Sequence, residues 1–220
     1  LVIGAGGIGV SSAWYLSHSG WEVTVIDSGD ICHGCSYGNA CLITPSHSHP
    51  LPGPGVIRQS LRWMLQKDSP FYIQPRLDMG LLRWGLQFRR FCNTRSVHLG
   101  HKALMRLTRE SLQLFLELQD QLDFFFEQNG LLQIYLTDRT FAEASYEQEV
   151  LENESFSSRL LSREETLELE PALSTRIVGG LFIEGEAHAY SYGYVMSMAR
   201  ELEQRGVTFL TQRPVSRILA

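Results

Sequence analysis

The sequence lacks several things that would have set its class at once. It has no apolar run approaching the ~18 residues that a membrane-spanning helix needs, so nothing in it reads as a transmembrane segment. Cysteine is scarce: four residues in 220 do not make a disulfide scaffold, and reduced thiols in a cytoplasmic setting are the expectation. Positive charge is not in excess. Nineteen Lys and Arg face 24 Asp and Glu, a formal net charge of −5, which argues against a nucleic-acid-binding surface. Internal repeats and low-complexity tracts are missing, which removes solenoids and disordered linkers from consideration. No secretory signal is expected within the chain. No Ser/His/Asp set and no carboxylate pair stands out as catalytic machinery. What remains is an ordinary globular balance, 44% hydrophobic and 20% charged, able to bury a sizeable core.

Against that plain background the first 27 residues carry a pattern. Leu1, Val2 and Ile3 read as the end of a buried strand, and Gly4-Ala5-Gly6-Gly7-Ile8-Gly9 fits G-x-G-x-x-G. A helical run follows from about Ile8 to Ser19, with Gly20 placed as a helix-terminating glycine. Val23 to Ile26 reads as a second buried strand ending in Asp27, at about the ~20-residue offset of a dinucleotide-binding βαβ unit. Each residue type has a task there. Gly4 permits the tight turn, Gly6 lets a pyrophosphate approach the backbone, and Gly9 lets helix and sheet pack closely. The helix N-terminus offers free N–H groups and partial positive charge to an anion. Asp27 can accept hydrogen bonds from a ribose diol, with Ser28 beside it. No Arg or Lys follows closely to hold a 2′-phosphate, which disfavours NADP. This reasoning does not separate NAD from FAD.

Residues 28–55 form a long stretch rich in Gly, Pro, Ser and His, and long loops in compact domains are commonly functional. It contains GCSYGNACLITPSHSHPLPGPG. Together with GAGGIGVSSAWYLSHSGWEVTVID, RQSLRWML, DSPFYIQPRLD, LLRWGLQF, GLLQIY and ELEPAL, this resembles the FAD-dependent D-amino acid dehydrogenases, members of the flavin amine oxidoreductases with glycine oxidase and sarcosine oxidase. The resemblance runs over nearly the whole chain, in the order of the N-terminal half of such an enzyme. It implies an α/β fold: a Rossmann-like FAD-binding domain at 1–50 and 187–220, with a helical insertion and part of an α+β substrate (cap) domain at 51–186. It implies FAD as cofactor, with Ser36, Asn39, Ala40 and Cys41 near the flavin and Val215 meeting the adenine through its backbone. The implied reaction is oxidative deamination of D-amino acids or related amines, a hydride leaving Cα–H for the flavin and electrons passing to a quinone-type acceptor. Two alternatives stand beside it: an oxygen-using amine oxidase of the glycine or sarcosine oxidase kind, and a non-catalytic dinucleotide-binding fragment. An NAD-dependent dehydrogenase is a further class to test.

Three features depart from the family pattern. Cys41 stands where glycine is expected. The Gly185–Tyr190 segment lacks the expected Asp-Pro ending. The family's later glycine motif is missing, and the resemblance places most of the substrate-carboxylate clamp beyond residue 220; Leu1, which is not Met and lies inside a strand, and the ending Val215-Ser216-Arg217-Ile218-Leu219-Ala220 read as the edges of a fragment of a longer protein.

Cys32-His33-Gly34-Cys35 is a C-x-x-C, but no second pair follows, so no metal site is assigned. His47 and His49 are weak catalytic candidates; loop histidines with local partners are the commoner case. Further on, helices are expected at Val56–Gln66, closed by Ser69-Pro70, at about Asp78–Phe91 with Asp78 as N-cap, and as one long helix over Ser96–Gln128 with Leu104, Leu107, Phe115, Leu118 and Leu122 on one side. Arg83, Arg89 and Arg90 beside Trp84, Phe88 and Phe91 make a basic-aromatic face, which reads as an ordinary amphipathic helix or, as the resemblance to enzymes that feed a membrane quinone pool implies, as a peripheral membrane surface on the inner face of the cytoplasmic membrane. Strands are expected at Leu131–Leu136, Arg159–Leu161, Ile177–Glu184 and Val207–Leu210, and helices at Thr140–Asn153, after the Ser162–Glu165 capping box, and at Tyr192–Arg205 before Gly206.

Overall fold

A computed structural model describes residues 1–64 and 78–219. The expected break at Ser69-Pro70, the end of the first insertion helix at Gln66, and most of the DSPFYIQPRLD segment lie outside the described residues.

The described elements begin with β1 (Val2–Ile3), α1 (Gly7–His18), β2 (Thr24–Ile26), β3 (Leu42–Ile43) and a single 3-10 turn at Pro45–His47. Three helices follow: α2 (Val56–Trp63), α3 (Met79–Phe91) and α4 (Thr94–Leu118). Then come β4 (Phe126–Glu127), β5 (Leu131–Tyr135), α5 (Asp138–Asn153), β6 (Ser158–Ser162), α6 (Arg163–Leu169), β7 (Gly179–Ile183), β8 (Ala187–Ala189), α7 (Ser191–Gln204) and β9 (Thr208–Leu210). The chain divides into two compact units, Leu1–Thr44 with Leu112–Ala220, and Pro45–Ser111.

The first unit holds three small sheets. β1, β2 and β9 pair in parallel in that order, Val2 opposite Val25 and Val25 opposite Phe209. Two helix-bearing crossovers make this a Rossmann-like arrangement. Helices α1 and α7 bury their apolar faces in one core: Val10, Ala13 and Trp14 from α1, Val195, Met198, Ala199 and Leu202 from α7, with Val25 and Val207 from the sheet region. Met198 and Leu202 are fully buried, each worth ~1.5–3 kcal/mol of transfer free energy. Tyr194 Oη and Ser11 Oγ, 2.9 Å apart, add a polar link between the two helices.

The second sheet is β3–β8–β4, antiparallel throughout, with Leu42 opposite His188 and Phe126 opposite Ala189. The third is β5–β7–β6, also antiparallel, with β7 in the centre and α5 packing Ala144 and Leu151 against Leu181, Ile183 and Tyr135. Ser162 caps α6 by accepting from the Glu165 N–H, and the Glu165 carboxylate accepts from the Ser162 N–H, completing the expected capping box. Asp78 caps α3 as expected, accepting from the Gly80 and Leu81 N–H groups. Helix α5 starts two residues earlier than expected because Thr137 accepts from the Thr140 N–H and caps it.

One expected element is corrected. The long helix over 96–128 ends at Leu118, and Phe126–Glu127 is a strand. The reason lies in the phenylalanine run. Phe124 and Phe126 turn toward Phe115, and Phe124 also packs on Tyr194, while Phe125 between them is half exposed; that two-residue alternation belongs to extended backbone, not to a helix. The apolar stripe also shortens: Leu112, Leu118 and Leu122 are buried, whereas Leu107 is 66% exposed. Strands β3 and β8, each two or three residues long, had no periodicity to announce them.

Candidate functional site

The site is built at the end of β1. Gly4 has φ +105°, a conformation that L side chains rarely adopt, and its N–H donates to the Ile26 carbonyl at 2.8 Å. The chain then enters α1 with Gly6 as N-cap. A Cβ on Gly9 would sit 1.8 Å from the Gly4 carbonyl oxygen, so the helix comes this close to the strand only because the position is glycine. No side chain caps α1 at Gly6. The Gly7 N–H donates to Ser36 Oγ at 2.8 Å, and the N–H groups of Ile8 and Gly9 face the same end of the helix without intrahelical acceptors. Ile8 is 88% exposed at this mouth.

Asp27 closes the opposite side of the turn. Its carboxylate accepts from the Ala5 N–H (2.6 Å) and the Gly29 N–H (2.8 Å). These backbone bonds, the one from Ala5 first, hold its carboxyl below the ordinary range, with smaller help from the Ser28 hydroxyl and His33 against a modest desolvation. The group is therefore ionised at neutral pH. Each oxygen keeps a further acceptor position, so a diol can still be held. The segment after β9 folds onto the same turn: Gln212 N–H donates to the Gly29 carbonyl, Arg213 N–H to the Asp27 carbonyl, and the Gln212 amide to Asp30. Val215, two residues beyond Arg213, is 40% exposed. Gln212 and Arg213 were not foreseen. Gln212 has φ +54°, and nothing in the sequence marks it as a residue that turns the chain there.

The second contributor is the turn from Ser36 to Cys41. Ser36 Oγ accepts the Gly7 N–H, which leaves its own proton available to an anion at the α1 N-terminus. Asn39 folds the turn: its Oδ1 accepts the Cys41 N–H at 2.8 Å. Ala40 is exposed. Cys41 has φ +60°, the left-handed conformation that favours glycine, and its carbonyl accepts from the Ala189 N–H at 2.9 Å where β3 meets β8. So the structure gathers Gly4, Ala5, Gly6, Gly7, Ile8, Gly9, Asp27, Ser28 and Ser36 around one helix end, with Asn39, Ala40 and Cys41 on the adjoining turn.

His47 and His49 belong to the Pro45–Ser111 unit. His47 Nδ1 lies 2.9 Å from Ser46 Oγ, and the His49 ring stacks on His101 at 4.6 Å. Both therefore have local structural partners. All four cysteines are free thiols; within the C-x-x-C, Cys32 is fully buried, its thiol pushed up by desolvation, and Cys35 is exposed. Among the described residues no three His, Cys, Asp or Glu groups cluster as a metal site.

The family described as FAD dependent oxidoreductase (DAO) matches residues 1–220. D-amino acid dehydrogenase of Vibrio vulnificus (strain YJ016) is 29% identical over 226 residues, covering 100% of this chain and 54% of that protein. The chain spans about half the length of the curated relatives it matches. Among solved structures, glycine oxidase from Bacillus cereus ATCC 14579 superposes with a TM-score of 0.64 at 18% identity, covering 99% of this chain and 47% of that one. L-alpha-glycerophosphate oxidase from Mycoplasma pneumoniae, solved with FAD bound, gives 0.64 at 18% identity, covering 97% and 44%. These two likenesses speak for the fold.

Proposed function

The chain belongs to the DAO family of FAD dependent oxidoreductases, and from that premise we propose that the protein carrying it oxidises D-amino acids, or closely related amines and imino acids, by oxidative deamination. The observation that carries the reading is the helix-end cradle, where a Cβ at Gly9 would collide with backbone and an ionised Asp27 waits beside it. These residues fit the ADP portion of FAD. The N–H groups at the start of α1 and the Ser36 hydroxyl would hold the pyrophosphate, Asp27 the ribose, and the Val215 backbone the adenine. Asn39, Ala40 and Cys41 would lie toward the flavin. When bound, FAD supplies the two-electron acceptor for oxidation of a carbon next to nitrogen. The chain's own contribution is to bind and orient it. We assign no catalytic role to His47 or His49, and we place the nucleotide on 1–50 and 187–220 and substrate contacts on 51–186 and beyond. The D-amino acid as substrate is carried over from the relatives' name.

The test is anaerobic mixing of the whole protein with D- and L-amino acids in turn. Bleaching of the flavin band by D-amino acids supports the reading. A flavin bleached by none of them, or a protein that takes up NAD in place of flavin, overturns it.

A quinone-type acceptor at the cytoplasmic face of the membrane is the second part of the proposal, supported by charge. Residues 45–111 contain eleven Lys/Arg and three Asp/Glu, a formal +8, whereas the rest of the chain has eight against 21, a formal −13. On α3, Met79, Leu82 and Leu86 are exposed at helical spacing, with Trp84 half exposed and stacked on Phe88, and Arg83, Arg89 and Arg90 interleaved. A basic helix with exposed apolar and aromatic groups suits an anionic bilayer surface. No helix among the described residues is long and apolar enough to cross a membrane. Flotation with anionic vesicles, absent with neutral ones, is the expected behaviour. Rapid reduction of artificial quinones over oxygen checks the acceptor; peroxide formed at a comparable rate would favour an oxidase.

A further inference from the structure

The cofactor turn at Ser36–Cys41 is attached to a residue far away in sequence. Ser191, the first residue of α7, donates its hydroxyl proton to the Ser36 carbonyl at 2.8 Å across 155 positions. Cys41 Sγ lies 3.8 Å from the same hydroxyl oxygen. A serine has one proton, and here it is committed to Ser36, so toward Cys41 the Ser191 oxygen can only accept, and it shares the single thiol proton with the Asn39 carbonyl, also 3.8 Å from Sγ. The next residues of α7 continue the attachment. The Tyr192 ring meets Tyr37 edge to face at 5.4 Å, and Tyr194 Oη meets Ser11 of α1 at 2.9 Å. The first turn of α7 therefore touches both parts of the site: the 36–41 turn through Ser36, Tyr37 and Cys41, and helix α1 through Ser11.

We propose that Ser191 is a positioning residue for the cofactor, a latch that fixes the Ser36–Cys41 turn against the α1 N-terminus so that Ser36 Oγ stays aimed at the pyrophosphate. Three links follow one another: the Gly7 N–H on Ser36 Oγ, the Ser36 carbonyl on the Ser191 hydroxyl, and the Ser191 oxygen beside the Cys41 thiol. The first orients the hydroxyl and the second orients the backbone that carries it. Without the second, the turn is held by its own Asn39 bond, by the Gly7 N–H and by the Ala189–Cys41 bond, and its free rotation rises. Cys41 also meets the Gly185–Tyr190 segment directly, its carbonyl accepting from the Ala189 N–H. Its effect on affinity rests on the FAD reading above; the latch itself does not.

The experiment compares Ser191→Ala and Ser191→Thr with the parent, in the whole protein. Two quantities are read: the Kd for FAD, and the rate at which Cys41 alkylates in FAD-free protein, located by fragment mass spectrometry. Loss of one net hydrogen bond predicts about a fivefold rise in Kd for the alanine variant, and faster Cys41 alkylation by a similar factor. The threonine variant, which keeps the hydroxyl, restores both. Alanine and parent alkylating at the same rate overturns the latch. So does a threonine variant as weakened as the alanine one, since the effect would then be general destabilisation. A parent protein that binds no FAD would defeat the cofactor reading, while the alkylation arm still decides the latch. Should the alanine variant not fold, the threonine variant decides: parent-like alkylation and Kd support the latch, and altered values overturn it.

Discussion

The Gly4–Gly9 turn and the Ser36–Cys41 turn meet at the same helix end but are held by opposite means. The first works through missing side chains: Gly4 takes φ +105°, and Gly9 leaves room for a backbone oxygen that any Cβ would strike. The second works through side chains that are present. Asn39 folds it, Ser36 accepts from the Gly7 N–H of α1, and Ser191 fastens it from another helix. A turn defined by exclusion admits no addition. A turn defined by several separate bonds loses strength by degrees as each is removed. The contrast can be tried one substitution at a time.

Gly9→Ala carries the largest expected effect. A carbon placed 1.8 Å from the Gly4 oxygen cannot be absorbed by a flexible side chain, because the neighbour is backbone. The loss should reach or exceed the ~3 kcal/mol at the upper end of overpacking penalties. Urea unfolding measures it, and a loss below about 1 kcal/mol would break the exclusion half of the comparison.

Asp27→Ala comes next. Removing a charge-assisted acceptor should weaken FAD binding about 10- to 100-fold, and since Asp27 also holds the Ala5 and Gly29 N–H groups, the FAD-free protein should lose stability as well. Unchanged FAD affinity would sink the ribose assignment. The pH dependence has a definite sign. The folded carboxyl titrates below its ordinary value, so its contribution is complete above that value and disappears as pH falls through the lower, folded one. The stability gap between the parent and Asp27→Asn should therefore be constant near neutrality and close as pH falls below the ordinary carboxylate value of about 4. A gap that widens on acidification contradicts the geometry.

Asn39→Ala tests the second turn. It removes the bond to the Cys41 N–H, worth ~1 kcal/mol net, and leaves the Ser36 and Ser191 bonds in place. A partial loss of FAD affinity, several-fold and no more, is the expected result by flavin-fluorescence titration. Complete loss would show that this turn is as intolerant as the glycine turn.

Cys41→Gly should do least. Glycine relieves a left-handed conformation worth ~1–2 kcal/mol and gives back ~0.4–1 kcal/mol in unfolded-chain entropy, so stability should stay level or rise slightly. FAD affinity should be equal or improved, and FAD should protect Cys41 from alkylation in the parent. Weaker flavin binding by the glycine variant, with alkylation indifferent to FAD, would place the turn away from the cofactor.

Reading along the chain recovered the elements whose signals are local. The βαβ unit to Asp27, the Asp78 cap, the Ser162–Glu165 capping box and the extent of α7 all rest on residues within a few positions of one another. It failed where two distant segments decide the outcome. Phe124 and Phe126 leave the helical path because Phe115 and Tyr194 offer aromatic partners, and β3 and β8 exist because they pair across about 145 residues.

By itself the sequence determined that a strand, a glycine turn, a helix and an acid-terminated strand would form a dinucleotide cradle, because glycine's missing side chain and the helix's unpaired N–H groups act locally. Only the tertiary structure decided that Asp27 first ties the turn together through Ala5 and Gly29, that Gln212 and Arg213 return to its backbone, and that Ser191 reaches Ser36. Apart from the local Gly29 bond, those are hydrogen bonds between groups 22 to about 186 residues apart. Their partners are chosen by how two helices and three parallel strands pack, and a short polar side chain carries no mark in the sequence of which distant carbonyl it will meet.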